Sequence, residues 1–248
     1  MNHKIWDSLA VDYDKSVEDN QDPLIVNYLK KEIWLLAILC EKICKLFPNC
    51  SIIDMGAGTG RVVFALDEKL HRKNIQFYGV EISEPMINYA NQKNHNRNGF
   101  SKIDFLKLDL TNPNLSKYFT SNDTNIVICS YNTLGVVPID KRQKFVDNMK
   151  SIAGENGLVI LTTFNGDNFS FVAPKLYHSM ISMIKQIDDD SFDEKNRVFH
   201  NSLGFRSQWF TKNELKLMLD SNVDPTPIDV TINGKSYTFG NVFVNRKV

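Results

Sequence analysis

Within residues 54–81, the carboxylates at the two ends and three glycines between them stand at the spacing of a ligand cradle. Asp54 closes the apolar run 51–53, and Gly56, Gly58 and Gly60 follow at alternate positions. Of the four glycines and four carboxylates in 54–81, these three glycines with Asp54 and Glu81 form the pattern. Glycine gives such a turn its dihedral freedom and has no Cβ to hold a ligand away from bare backbone. A helix expected from about Arg61 points its free N–H groups at the same place. Glu81 ends a second apolar run, 76–80, about twenty residues beyond the turn. A carboxylate at the end of a second parallel strand can accept hydrogen bonds from both hydroxyls of a ribose.

The spacing excludes two common nucleotide cradles. A dinucleotide fingerprint, Gly-x-Gly-x-x-Gly/Ala, needs a small residue at 61 or 63, where the chain has Arg61 and Val63. A Walker loop needs Gly-Lys-Ser/Thr after the turn, and none follows.

The stretch Asp54 to Gly60 resembles the acid-x-Gly-x-Gly-x-Gly turn of the class I S-adenosylmethionine-dependent methyltransferases. The resemblance covers nearly the whole chain and implies S-adenosyl-L-methionine as cofactor. Asp54, Gly56, Ala57, Gly58 and Gly60 would hold its amino acid end, and Glu81 with Ile82 its ribose. Asp109, which closes the run 104–108, and Leu110 beside it would meet the adenine. Ser130 and Tyr13 complete the implied cofactor set; Tyr13 belongs to an opening phrase, 6–14, that looks like the family's cap entry. The implied fold is α/β, a Rossmann-like seven-stranded sheet whose last strand runs antiparallel. An N-terminal helical cap precedes it and an insertion follows strand 5. The implied divisions of this single domain are a cap over 1–48, a cofactor-binding core over 49–166, a lid over 167–200 and closing elements over 201–248.

The pattern along the chain predicts these elements independently. Leu24, Ile25, Tyr28, Leu29, Ile33, Leu36, Cys40 and Ile43 recur at helical spacing up to about Phe47, where Pro48-Asn49 stops the helix. Apolar, β-branched strands are expected at 51–55, 76–81, 103–108, 125–130 and 157–164. Helices between them are expected at 60–71, 84–94, 114–120 and 140–152. That alternation argues for a parallel sheet with helices on both faces. Residues 167–187 read as one aromatic and Met-rich helix, 197–209 as extended structure and 211–221 as a helix. Two closing strands flank Asn233-Gly234, a hairpin signal.

The 248 residues suit one elaborated domain, and a formal net charge of +0 offers no global field to attract polyanions. The first residues lack a signal peptide's apolar run, and the most apolar segment, Ile33 to Cys40, is far too short to span a bilayer. A cytoplasmic location without membrane contact is therefore expected. Cys40 and Cys44 share a helical face, whereas Cys50 and Cys129 stand alone; buried free thiols are expected, and neither a disulfide framework nor a metal site.

The methyl of a sulfonium is already electrophilic, so the chemistry needs alignment and water exclusion, and a base only where the nucleophile holds a proton. No catalytic residue is assigned. Tyr131 and Asn132, after the fourth strand, and Asn165, after the fifth, are expected to edge the acceptor pocket. Arg206 and Trp209 are further candidates for its lining, although a strand tryptophan is most often core. His178 and His200 read as surface or packing residues, and the acidic loop 188–194 as a solvated charge run. The expected activity is methyl transfer to nitrogen or oxygen of a small-molecule acceptor. Alternatives are an RNA or protein side-chain acceptor, a non-catalytic cofactor-binding module, and transfer of an aminopropyl group. Basic patches interleaved with aromatics would favour RNA, and only the modest cluster 93–97 approaches one, so nucleic acid is disfavoured. Oligomeric state leaves no mark in the sequence.

Overall fold

The computed structural model describes residues 3–119 and 124–245. Two helices, α1 (His3–Ser16) and α2 (Pro23–Leu46), come first. Asp22 caps α2 by accepting from the Leu24 N–H at 2.8 Å, and Pro23 occupies the first turn, where its missing N–H is not needed. Then β1 (Cys50–Met55), α3 (Arg61–Leu70), β2 (Gln76–Glu81), α4 (Glu84–His95) and β3 (Lys102–Lys107) alternate as the pattern predicts. The helix expected over 114–120 is only a 3-10 turn, Leu115–Tyr118, entered through Asn114 at φ 65°; Thr120 lies outside the described residues. Next come β4 (Thr124–Cys129), a one-turn helix α5 (Thr133–Val136), α6 (Arg142–Ala153) and β5 (Leu158–Phe164).

The segment expected as a single helix over 167–187 is broken. It forms α7 (Phe169–Ser179) and α8 (Ile181–Ile184), separated at Met180. The reason lies in its partners. The Ser179 carbonyl accepts from the Asn20 side chain at 3.2 Å, and the Met183 N–H bonds to the Met180 carbonyl at 2.9 Å. A small antiparallel sheet follows: β6 (Phe192–Asp193), β7 (Val198–His200) and β8 (Arg206–Gln208). Residues 197–209 are thus a hairpin, whose turn Asn201 holds by accepting from the Phe205 N–H at 3.0 Å. Helix α9 (Lys212–Leu219) starts at a capping box of Thr211 and Glu214. The chain closes with β9 (Thr226–Ile232) and β10 (Lys235–Asn245), turned at Asn233 and Gly234, both at positive φ.

The main sheet has the order β3-β2-β1-β4-β5-β10-β9, with β10 antiparallel to both neighbours. Strands β1 and β4 are buried along their whole length, as central parallel strands covered on both faces must be. Successive residues of β1 face opposite sides: Ile52 joins the core under α2 and α3, Ile53 the core under α6 and α9. Strand order reverses between β1 and β4. In open parallel sheets, ligands enter the crevice beyond that point. Cys50 does not stand alone, because β1 starts against the end of α2 and sets the Cys50 and Cys44 sulfurs 2.8 Å apart; the four cysteines are buried thiols. No described helix is long and apolar enough to cross a membrane.

Candidate functional site

The turn after β1 is held from β2: the Gly56 and Ala57 N–H groups donate to the Val80 carbonyl at 2.8 and 3.0 Å. Gly60 has φ 93°, and a Cβ on it would sit 2.5 Å from the Phe64 ring, so close packing and the left-handed backbone both require glycine there. Gly58 has φ 53°, and its added Cβ would meet the Tyr13 ring at 3.6 Å, across a gap just wide enough for a ligand edge.

Glu81, at the end of β2, accepts from the Ile82 and Ser83 N–H groups at 2.7 and 2.9 Å through Oε1, and from the Gly58 N–H at 3.1 Å through Oε2. Burial pushes its carboxyl above the usual range, and those three N–H groups hold it partly back. Asp109 lies two residues past β3. The Thr111 N–H and hydroxyl bind its Oδ1 at 2.9 and 2.7 Å and keep its carboxyl low against the upward push of burial. The Ser130 carbonyl anchors Thr133 through its N–H and hydroxyl, 3.0 and 2.8 Å.

Beneath the turn lies a charge network absent from the sequence-level candidates. Glu32 is fully buried on α2 and binds Arg61 Nη2 at 2.8 Å. It also accepts from the Tyr28 hydroxyl at 3.1 Å, the Tyr131 N–H at 2.9 Å and the Thr162 hydroxyl. One carboxylate therefore ties the cap to the ends of β4 and β5. The signal was present: Glu32 falls between Tyr28 and Leu36 at four-residue spacing, on the apolar stripe of α2. Asp14 on α1 holds the turn from above, accepting from the Thr59 hydroxyl and from Lys93 at 2.9 Å.

Three buried polar atoms around the turn have no partner: Asp54 Oδ1, Arg61 Nη1 and Asp7 Oδ1. Burial pushes the Asp54 carboxyl up to about 7, with the Arg61 guanidinium pulling the other way. Buried polar groups are normally satisfied, so an acceptor and a donor left open beside one turn fit the ammonium and carboxylate of a bound amino acid.

Gly56, Gly58, Tyr13, Glu81, Met86 and Leu110 line one end of a crevice that encloses ≈ 730 Å³, its mouth included. Tyr131, Asn132, Phe164, Tyr177, Met180, Met183, Phe205 and Ser207 line the other end, with Trp6 over the entrance. Tyr131 and Asn132 are consecutive left-handed residues, φ 49° and 60°, a strained arrangement that clusters at functional sites. The Asn132 amide is spent on the protein: it binds the Ser207 hydroxyl and Gln208 carbonyl at 3.0 Å each and accepts from the Phe164 N–H at 3.2 Å. The Tyr177 hydroxyl accepts from Trp209 Nε1 at 3.0 Å. Burial pushes Tyr177 up to about 12 and raises Tyr131 and Tyr13 further, so all three stay protonated.

Three residues expected at the pocket lie elsewhere. Asn165 caps a turn, accepting from the Asp167 N–H at 3.3 Å and donating to the Thr238 carbonyl at 3.2 Å. Trp209 is fully buried behind Tyr177 in an aromatic core with Phe164, Phe169 and Phe239. Arg206 is exposed and lines a separate trough beside the entrance. Trp6, Phe205, Met180 and Met183 come from segments whose sequence marked a cap, extended structure and an aromatic, Met-rich helix, without indicating which side chains would converge.

The methyltransferase-domain family matches residues 46–222. A carboxy-S-adenosyl-L-methionine synthase of Desulfotalea psychrophila is 26% identical over 118 residues, 48% of this chain and 45% of that protein. The chain spans about half the length of the curated relatives it matches. Among solved structures, an S-adenosylmethionine-dependent methyltransferase of Clostridium acetobutylicum superposes with TM-score 0.61 at 16% identity, covering 96% of both chains. The 1,6-didemethyltoxoflavin-N1-methyltransferase of Burkholderia thailandensis, with its didemethyltoxoflavin and S-adenosylhomocysteine bound, gives 0.55 at 13% identity over 95% of this chain and 85% of that one. With most of its length matched, sheet order and glycine turn included, the chain belongs to the methyltransferase-domain family, in the class I group whose cofactor is S-adenosylmethionine.

Proposed function

We propose that this chain transfers a methyl group to a nitrogen or oxygen atom of a small-molecule acceptor. The observation that carries the reading is one crevice lined both by the glycine turn with the Glu81 carboxylate and by neutral aromatic and methionine side chains. S-adenosylmethionine supplies an activated methyl. Asp54 Oδ1 and Arg61 Nη1 are the free groups for its ammonium and carboxylate. Three N–H groups occupy both sites of Glu81 Oε1 and one of Oε2, so Oε2 keeps one site for a ribose hydroxyl, and Leu110 offers an apolar edge to the base.

The acceptor end supports nitrogen over a hydroxyl. Its lining includes no His, Lys, Asp or Glu, and burial keeps Tyr131 and Tyr177 protonated at neutral pH. These phenols donate hydrogen bonds and remove no proton. A neutral nitrogen with a free lone pair needs no base, whereas an alcohol must lose a proton. Tyr131, Phe164 and Tyr177 form walls that exclude water and hold a flat acceptor against the methyl.

Calorimetry with S-adenosylhomocysteine tests the cofactor half: the native chain binds, and Asp54→Asn and Glu81→Gln each weaken binding. A mixed set of N-heterocycles, amines and phenols, incubated with S-adenosylmethionine and read by mass spectrometry, tests the acceptor half. No binding of either sulfur compound would defeat the proposal.

A further inference from the structure

The crevice shares three lining residues with a neighbouring space. Trp6, Val136 and Phe205 line the crevice and also line a second trough, formed with Ile5, Pro138 and Ile139. The trough encloses ≈ 760 Å³, mouth included, and Arg206 is its one charged lining residue among those described. Ile139 stands 65% exposed at the rim, an apolar side chain that the fold leaves uncovered.

The charge at the end of this trough is unbalanced. Arg206 makes no ion pair with any described residue. Buried Arg142 lies close enough to be repelled by it; burial first, and Arg206 second, push the Arg142 guanidinium down to about 10. Arg142 is spent internally, on the Gln208 side chain at 2.6 Å and the Val137 and Gly135 carbonyls at 3.0 and 3.3 Å. Glu214, the acid that acts on Arg142, is itself paired with Arg197 at 2.5 Å. One unpaired guanidinium, that of Arg206, thus lines an apolar trough that no described acid lines, with Arg142 buried nearby.

We infer that this trough is an outer subsite for the far end of the acceptor, and that the acceptor is an amphipathic anion, an apolar body carrying one carboxylate, sulfonate or phosphate that pairs with Arg206. The inference rests on the methyl-transfer reading of the crevice. Its physical basis is adjacency and complementarity: the two spaces share Trp6, Val136 and Phe205, and the unpaired Arg206 stands in an otherwise apolar lining. The inner end would then recognise shape and the outer end charge.

Two fluorescent probes with the same rings separate charge from packing, 1-anilinonaphthalene-8-sulfonate and uncharged N-phenyl-1-naphthylamine. Both are titrated with and without saturating S-adenosylhomocysteine. The native chain is expected to bind the sulfonate several-fold more tightly than the neutral probe. Arg206→Gln should weaken the sulfonate about tenfold, as expected for one lost charge-assisted contact, and leave the neutral probe unchanged. Ile139→Asp, at an exposed position, should likewise weaken the sulfonate more than the neutral probe. Equal affinity of both probes for the native chain, an unchanged sulfonate affinity in Arg206→Gln, or an equal loss of both probes overturns the inference. Failure of S-adenosylhomocysteine to bind the native chain overturns the methyl-transfer reading, while the probe comparison still reports on Arg206.

Discussion

The two ends of the crevice are made from different kinds of atoms. At the glycine turn the walls include the backbone of Gly56 and Gly58 and the Glu81 carboxylate, with the Asp54 carboxyl buried beside them. At the acceptor end almost every wall is an aromatic or methionine side chain, drawn from α1, β5, α7, α8 and the β7–β8 hairpin. The first end centres on residues 54–81, with Tyr13, Met86 and Leu110 added from outside. The second joins segments from Trp6 to Ser207. A ligand shared across a family can be held by the first kind of wall, because backbone geometry survives side-chain change. An acceptor particular to one protein needs the second kind. Glu32 bridges them, binding Arg61 under the turn and the Tyr131 N–H at the acceptor end.

That contrast can be broken at the bridge. Glu32→Gln leaves Arg61 buried without its counter-charge, a loss of about 3–5 kcal/mol for a buried pair. The midpoint of thermal unfolding should fall by about 10 °C for a domain of this size. Both calorimetric cofactor binding and probe binding should weaken together. Adding Arg61→Met should recover part of the stability, though not the cofactor affinity.

Asp54→Asn sharpens the comparison from one side. It should reduce S-adenosylhomocysteine affinity about 10–100-fold, the range of a charge-assisted hydrogen bond, and leave naphthalene-probe binding at the other end unchanged. Tyr177→Phe acts from the opposite side. It strands the buried Trp209 N–H at a cost of about 1–3 kcal/mol, seen in denaturant titration, with cofactor affinity preserved.

Two glycines that look alike in sequence should separate. Gly60→Ala forces a Cβ into the Phe64 ring at φ 93° and should cost stability of about 2 kcal/mol. Gly58→Ala meets only the Tyr13 ring at 3.6 Å, so about 1 kcal/mol is expected from backbone strain, with a larger loss of cofactor affinity.

The smallest effect is that of pH. The folded Asp54 carboxyl is pushed from 3.8 to about 7, so the folded state holds its proton where the unfolded chain has lost it. This group therefore makes the free protein less stable as pH rises from about 4 to about 7. Cofactor binding runs the opposite way, because an ammonium requires the ionised carboxylate. S-adenosylhomocysteine affinity should rise several-fold between pH 6 and 8 and lose that dependence in Asp54→Asn.

The five leading strands stood out in the sequence because burial on both faces of a parallel sheet demands unbroken apolar, β-branched runs. Three of the four helices expected between them formed. Asp54, Glu81 and the glycines were equally visible, since a turn against bare backbone needs those types at that spacing. The break at Met180 was not, because it depends on Asn20, far away in the chain, capturing the Ser179 carbonyl. Helical periodicity cannot report a distant competitor for a hydrogen bond. Cys50 met Cys44 for a similar reason: the turn between α2 and β1 brings two ends together that spacing alone kept apart.

Of the five acceptor candidates, two line the crevice and three do not. Tyr131 and Asn132 reached the crevice, whereas Asn165 turned inward to cap a turn and Trp209 went to the core. A tryptophan or asparagine after a strand satisfies either role, and the choice depends on what packs opposite. Local chemistry along the chain was thus sufficient for the sheet, its order of elements and the cofactor turn. Those features rest on period, apolar runs and backbone freedom, each carried by neighbouring residues. The aromatic walls, the Glu32–Arg61 pair and the Arg206 trough came into being through packing, where contact between segments far apart in the chain selects the facing side chains.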